Sequence, residues 1–106
     1  MSTLQAPSKA LDRDRRVAER ADRLKQLEFE STQRRIAQIA ATVADFARTV
    51  DVLELAIRME QNQTKIHDPG HIAYSNSARA MIHRRDNLRR SIHELKRQLP
   101  DTVVGG

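Results

Sequence analysis

Apolar residues recur at alternating steps of three and four along two stretches of this sequence. The first stretch forms a heptad-type seam of Ile36, Ile39, Val43, Phe46, Val50, Leu53 and Ile57. The second has the same spacing over Ala78, Met81, Arg85, Leu88, Ile92, Leu95 and Leu99. Such steps place side chains on one face of a helix. The pattern predicts two amphipathic helices that bury their seams.

Proline and glycine, which interrupt helices, mark the ends of these two stretches. Residues 8–68 contain neither, and after Pro69 and Gly70 a second clean run extends from residue 71 to Leu99. We predict a flexible leader at 1–8, helices at about 9–64 and about 76–99, a loop at about 65–75, and a flexible tail at 100–106.

Two residues are candidate caps for the second helix. Asp68 precedes Pro69, which is the usual order of an N-cap and a first helical residue. Ser75 is the alternative, in which case residues 69–75 form a separate short turn. Either start leaves a short connection, and two apolar seams joined by a short loop fold back on each other. The predicted fold class is all-α, an antiparallel coiled-coil helical hairpin.

The two predicted helices differ in length. At about 1.5 Å per residue, the second helix reaches back only to about residues 34–40 of the first. Residues from Val17 to about Thr32 then overhang without a partner in the chain, and lone helical segments are marginal in water. The apolar residues there are out of phase with the later seam, so we expect the buried face to shift near residues 27–32. We predict that residues 11–32 bind a partner protein or a second copy.

The net charge of +5 is concentrated in the second helix, where residues 79–97 contain seven basic and two acidic side chains. A basic face admits nucleic acid or an acidic protein surface as partner. In the first helix, acidic residues interleave with the basic ones, which is typical of a solvated helix face. Nucleic-acid binding is therefore the less favoured interpretation.

The chain shows no arrangement typical of catalysis. At 106 residues it has room for one small domain, and it contains no cysteine for disulfides or thiolate metal sites. His67 and His71 are four residues apart, but Pro69 and Gly70 lie between them, which favours a solvated turn over a metal site. We expect a non-enzymatic protein without cofactor or metal.

Targeting signals are also not recognised in the sequence. The amino-terminal residues resemble no signal peptide. No apolar run approaches the roughly 18 residues of a membrane span. We expect a cytoplasmic protein.

Arg85 is the one charged residue of the second seam. Its aliphatic stem can cover the seam while its guanidinium reaches water. Alternatively, it forms an ion pair across the helices with Glu54 or Asp51 and fixes their register. The sequence leaves both interpretations open.

Several short runs resemble FliJ-type flagellar export proteins of alphaproteobacteria. The resemblance covers about residues 24–99 and is carried by Leu24–Phe29, Arg34–Ile39, Ala44–Phe46, His67–Pro69, Ile72–Tyr74, Arg84–Leu88 and Glu94–Lys96. It implies a coiled-coil adaptor of the flagellar type III export apparatus. Such proteins engage the export ATPase, the export gate and chaperones, so the resemblance implies a place at the cytoplasmic face of the flagellar base.

Two groups of residues are the predicted partner-binding sites. They are Arg20, Arg23, Leu24 and Leu27 in the first helix, and Arg84, Arg85, Arg89 and Arg90 in the second. Two other functions stay open at this point: a small basic nucleic-acid-binding protein, and a structural coiled coil that self-assembles through residues 11–32.

Overall fold

The computed structural model describes the backbone of residues 5–101 and the side chains of residues 9–101. This part contains two helices and no strand: α1 spans Gln5–Thr64 and α2 spans Asn76–Arg97. The predicted all-α class is confirmed. Contacts divide the chain into two units, Met1–Arg35 and Ile36–Gly106, and the boundary falls within α1.

The helix ends differ slightly from the prediction. Because α1 begins at Gln5, half of the predicted leader is helical. Pro7 is compatible with this start, since the backbone N–H that it lacks would be unpaired in the first turn. α2 ends two residues early, at Arg97, where the Gln98 amide donates to the Leu95 carbonyl and the Leu99 amide donates to the Lys96 carbonyl. Residues 1–4 and 102–106 of the predicted leader and tail lie outside the described residues.

The apolar seams form the core of the Ile36–Gly106 unit. The α1 seam includes four buried residues, Ile39, Val50, Leu53 and Ile57, and its other members are half-buried. In α2, Ala78 is fully buried and the remaining seam residues are half-buried. Every predicted seam position is therefore at least partly shielded from water. Complete burial of one large apolar side chain stabilises a fold by about 1.5–3 kcal/mol, and partial burial contributes less. The predicted helical hairpin is confirmed.

Tyr74 anchors the connection between the helices. Its side chain is only 3% exposed, and its hydroxyl oxygen accepts a 2.8 Å hydrogen bond from Gln61 Nε2. The Arg79 guanidinium lies 5.5 Å from the ring centroid and also donates to the Pro69 carbonyl at 3.1 Å. The ring thus closes the end of the core, and its hydroxyl ties the loop to α1.

Ser75, and not Asp68, is the N-cap of α2. The Ser75 hydroxyl oxygen accepts from the Ala78 amide at 3.1 Å, and the hydroxyl donates to Glu60 Oε1 at 2.7 Å. Asp68 instead accepts from the Gly70 amide at 2.9 Å, which stabilises a tight turn. α1 ends before Lys65, whose φ of 65° lies in the left-handed region that terminates many helices.

The contacts at the loop set the register of the hairpin. Gln61 bonds to Tyr74, and Glu60 bonds to Ser75. In an antiparallel hairpin, counting 25 residues back from Gln61 and 25 forward from Tyr74 brings Ile36 near the level of Leu99, and both are half-buried. The predicted reach of the second helix, to about residues 34–40, agrees with this register.

The described side chains of the Met1–Arg35 unit are all exposed, from residue 9 to residue 35. They include Leu24 and Phe29, whose exposed fractions are 56% and 59%. The expected shift of a buried face near residues 27–32 is therefore not observed, because this stretch has no buried face. Within the described residues, neither helix combines the length and the apolar character required to cross a membrane.

We predict that Tyr74→Ala lowers the free energy of unfolding by about 3 kcal/mol, because it removes a buried ring. Tyr74→Phe should cost only about 0.5–1.5 kcal/mol, since only the hydroxyl is lost. Urea denaturation followed by circular dichroism measures both. Ile72→Ala is the control, because Ile72 is 98% exposed. Equal effects of the three substitutions would contradict the anchoring role of Tyr74.

Candidate partner-binding surfaces

Four residues of α1 form what we call the N-terminal surface: Arg20, Arg23, Leu24 and Leu27. Their separations of three, four and seven residues place them on one face of the helix. All four are exposed, and the two leucines are 56% and 59% exposed. The structure thus brings together this group of predicted site residues as two apolar side chains beside two guanidinium groups.

The rest of this unit carries further exposed apolar side chains among interleaved charges. Leu11, Val17 and Phe29 are each about 60% exposed or more. The charged residues form weak local contacts, such as the 2.5 Å ion pair between Arg15 and Asp12, which are both largely in solvent. Repeated large apolar side chains on one exposed helix are characteristic of an interaction surface.

The four arginines of α2 do not form one free cluster. Arg89 pairs with Glu54 across the two helices, and Arg90 donates a hydrogen bond to the Asn87 side-chain oxygen. Arg84 is exposed and lines a shallow groove with Asp45, Arg48, Thr49, Val52 and Leu53. Among the described residues, Arg84 takes part in no ion pair.

The second interpretation of Arg85, an ion pair with Glu54 or Asp51, is not borne out by the structure. Arg85 bonds to its neighbour Asp86 at 3.1 Å, while its side chain stays only 23% exposed. The contact to Glu54 is made by Arg89, four residues further on. Arg89 lies one helical turn after Arg85 and outside the seam. From this position its guanidinium can reach the Glu54 carboxylate on the flank of α1. The structure therefore supports the first interpretation, in which the aliphatic stem of Arg85 covers the seam.

One of the two loop histidines, His71, has a local structural role. His71 Nδ1 accepts a 3.0 Å hydrogen bond from the Ala73 amide and so stabilises the turn. Across the described residues, no group of three or more His, Cys, Asp or Glu side chains is placed to hold a metal ion. Ile72, between these residues, is almost fully exposed.

A second apolar stripe on α1, which we call the outer stripe, was not recognised from the sequence. It consists of Val52, Leu55 and Met59, which are 66%, 53% and 62% exposed. Their steps of three and four place them on one helix face, about opposite the buried seam at 3.6 residues per turn. The spacing was visible in the sequence, but these residues interleave with Leu53 and Ile57 of the seam, which conceals a second pattern.

Comparison with known proteins identifies no relative: no family model, no curated protein and no solved structure matches the chain.

We predict that Arg85→Leu raises the melting temperature, by an amount equivalent to about 1 kcal/mol, because leucine buries more apolar surface at this half-buried seam position. Arg84→Leu is the matched control at an exposed position, and its effect should stay within about 0.5 kcal/mol. Thermal unfolding by circular dichroism measures both. A lower melting temperature for Arg85→Leu would show that its guanidinium contributes to folding.

The ion pair between Arg89 and Glu54 should contribute little, because the two side chains are 51% and 30% exposed. A double-mutant cycle with Arg89→Ala and Glu54→Ala should give a coupling energy of about 0.2–1 kcal/mol that declines toward zero at about 1 M salt. A coupling that is zero at low salt would mean that the pair does not form in solution.

Proposed function

We propose that this chain is a non-enzymatic helical-hairpin adaptor of the flagellar type III export apparatus, which binds the export ATPase, the export gate or export chaperones. Its place would be the cytoplasm, at the cytoplasmic face of the flagellar base. The proposal has two supports. One is the resemblance of residues 24–99 to FliJ-type proteins, and the other is a hairpin fold of the kind that the resemblance implies.

The observation that carries a binding role is the exposure of the N-terminal surface. Leu24 and Leu27 offer adjacent apolar side chains that a partner can cover, and Arg20 and Arg23 flank them with positive charge. Interfaces commonly combine such a central apolar contact with a charged rim. A partner that fits this surface has an apolar groove bordered by carboxylates.

The arginines of α2 contribute to this proposal in unequal ways. Arg85 and Arg89 already contact carboxylates within the hairpin. Arg84 and Arg90 are exposed and carry charge that an acidic partner would attract. Exposed charges of this kind raise the rate of association more than the final affinity. We therefore expect substitutions on the N-terminal surface to weaken binding more than substitutions of Arg84 or Arg90.

An affinity pull-down with the full chain tests the proposal. Nuclease-treated extract of the native cell is passed over the immobilised chain, washed at moderate salt and analysed by mass spectrometry. The proposal predicts recovery of the export ATPase, the gate or export chaperones. Leu24→Asp should reduce the affinity of the recovered partner about tenfold or more, as expected for an anchoring side chain.

Leu11→Asp provides the matched control for this experiment. Leu11 is 67% exposed on the same helix, but nine residues before Arg20 it lies on about the opposite face. It should leave binding unchanged, and both variants should keep the melting temperature of the parent chain. If both substitutions abolish binding, or neither does, the N-terminal surface is not the binding face.

The same experiment separates the two alternative functions. A nucleic-acid-binding protein would retain its partners only without nuclease, and its binding would decline steeply with salt. A structural coiled coil that pairs through residues 11–32 would recover only the chain itself. Either outcome would replace the export role.

A further inference from the structure

We propose that the outer stripe of α1 is a docking site for a second copy of this chain, with the two α1 helices antiparallel about a two-fold axis near residues 53 and 54. The proposal does not rest on the export role. It uses Val52, Leu55 and Met59, and it differs from self-assembly through residues 11–32.

The outer stripe has the form of a short coiled-coil seam. Val52, Leu55 and Met59 follow steps of three and four, and each is more than half exposed. The stripe lies on the side of α1 that is turned away from the buried seam, so α2 leaves it accessible. In the antiparallel register, Val52 of each copy packs against Leu55 of the other.

The charges beside the outer stripe indicate that its binding partner is a second copy of this chain. Asp51 and Arg58 lie on the same flank, seven residues apart, in the positions that face each other across an antiparallel coiled coil. With the axis near residues 53 and 54, Asp51 of each copy meets Arg58 of the other. The flank is therefore complementary to itself, and two ion pairs form from one pair of residues.

Both charges are available for this contact. Arg48, three residues before Asp51, is paired with Asp45, and Glu54, four residues before Arg58, is paired with Arg89. Among the described residues, neither Asp51 nor Arg58 takes part in an ion pair. Arg48 and Glu54, the oppositely charged residues about one helical turn before Asp51 and Arg58, are therefore already paired with other residues.

The association should be weak. Beside the two central contacts between Val52 and Leu55, Met59 of one copy faces Arg48 of the other. Arg48 contributes only the aliphatic stem of its side chain to this contact. Three apolar side chains per copy form a contact below the size of a stable dimer interface. We expect a dimer that forms at high micromolar concentration, at about 100 µM, the weak end of specific association.

Charge exchange tests the proposal directly. Asp51→Arg and Arg58→Asp each place like charges opposite one another in the dimer, so each variant alone should dimerise about tenfold more weakly. An equimolar mixture restores both opposite-charge pairs between unlike chains, and it should dimerise at least as well as the parent chain. Sedimentation equilibrium over about 10 µM to 1 mM measures all three.

Three control variants test whether the effect is specific to the outer stripe and its flank. Glu94→Arg and Arg97→Asp make the same changes in net charge at exposed positions of α2, and each should dimerise about as well as the parent chain. Leu55→Asp should abolish the dimer at the centre of the stripe, and Leu11→Asp should not. Circular dichroism verifies that each variant is folded.

Three outcomes would overturn the proposal. The first is that the parent chain stays monomeric at all concentrations, in which case the stripe would be left for a different protein. The mixture of the charge variants fails to restore the dimer that each has lost. Leu11→Asp removes the dimer while Leu55→Asp does not, which would place self-association in residues 9–35.

Discussion

The apolar seam between α1 and α2 is the interaction on which the Ile36–Gly106 unit depends. Helices of this kind are marginal alone in water, and the burial of Val50, Leu53 and Ile57 against the α2 seam supplies the stabilisation that both need. Tyr74 and Ser75 then fix where the chain reverses, because each bonds to a residue of the last turns of α1. Seam and loop together determine the register.

The seam also explains why the remaining apolar side chains are significant. The hairpin needs one face of α1 between residues 36 and 57, so Val52, Leu55 and Met59 are not required for it. The same holds for Leu24 and Leu27 in the Met1–Arg35 unit, where the described side chains are all exposed. Apolar side chains that folding does not use are the natural candidates for contacts with other molecules. The two surfaces therefore suit two different partners.

Periodicity was enough to predict the hairpin, because a heptad seam reports directly on which face of a helix is buried. It did not predict the contacts that depend on the direction and the length of individual side chains. Asp68 and Ser75 both fit the rules for a cap, and the hydrogen bond that the Ser75 hydroxyl accepts from the Ala78 amide distinguishes them. The sequence offered Arg85 as one candidate partner of Glu54 and did not point to Arg89, since seam spacing alone does not show that Arg89 reaches the flank of α1. The outer stripe was missed because one sequence segment carries two interleaved patterns.

Hydrogen exchange, followed residue by residue on the monomeric chain, tests most directly whether the seam carries the stability. The seam account predicts slow exchange for backbone amides within residues 39–57 and 78–95, at rates that reflect global unfolding. It predicts fast exchange within residues 11–32, where no side chain is buried. If residues 11–32 exchanged as slowly as the seam segments in the monomer, the stability would have another source and the account would be wrong.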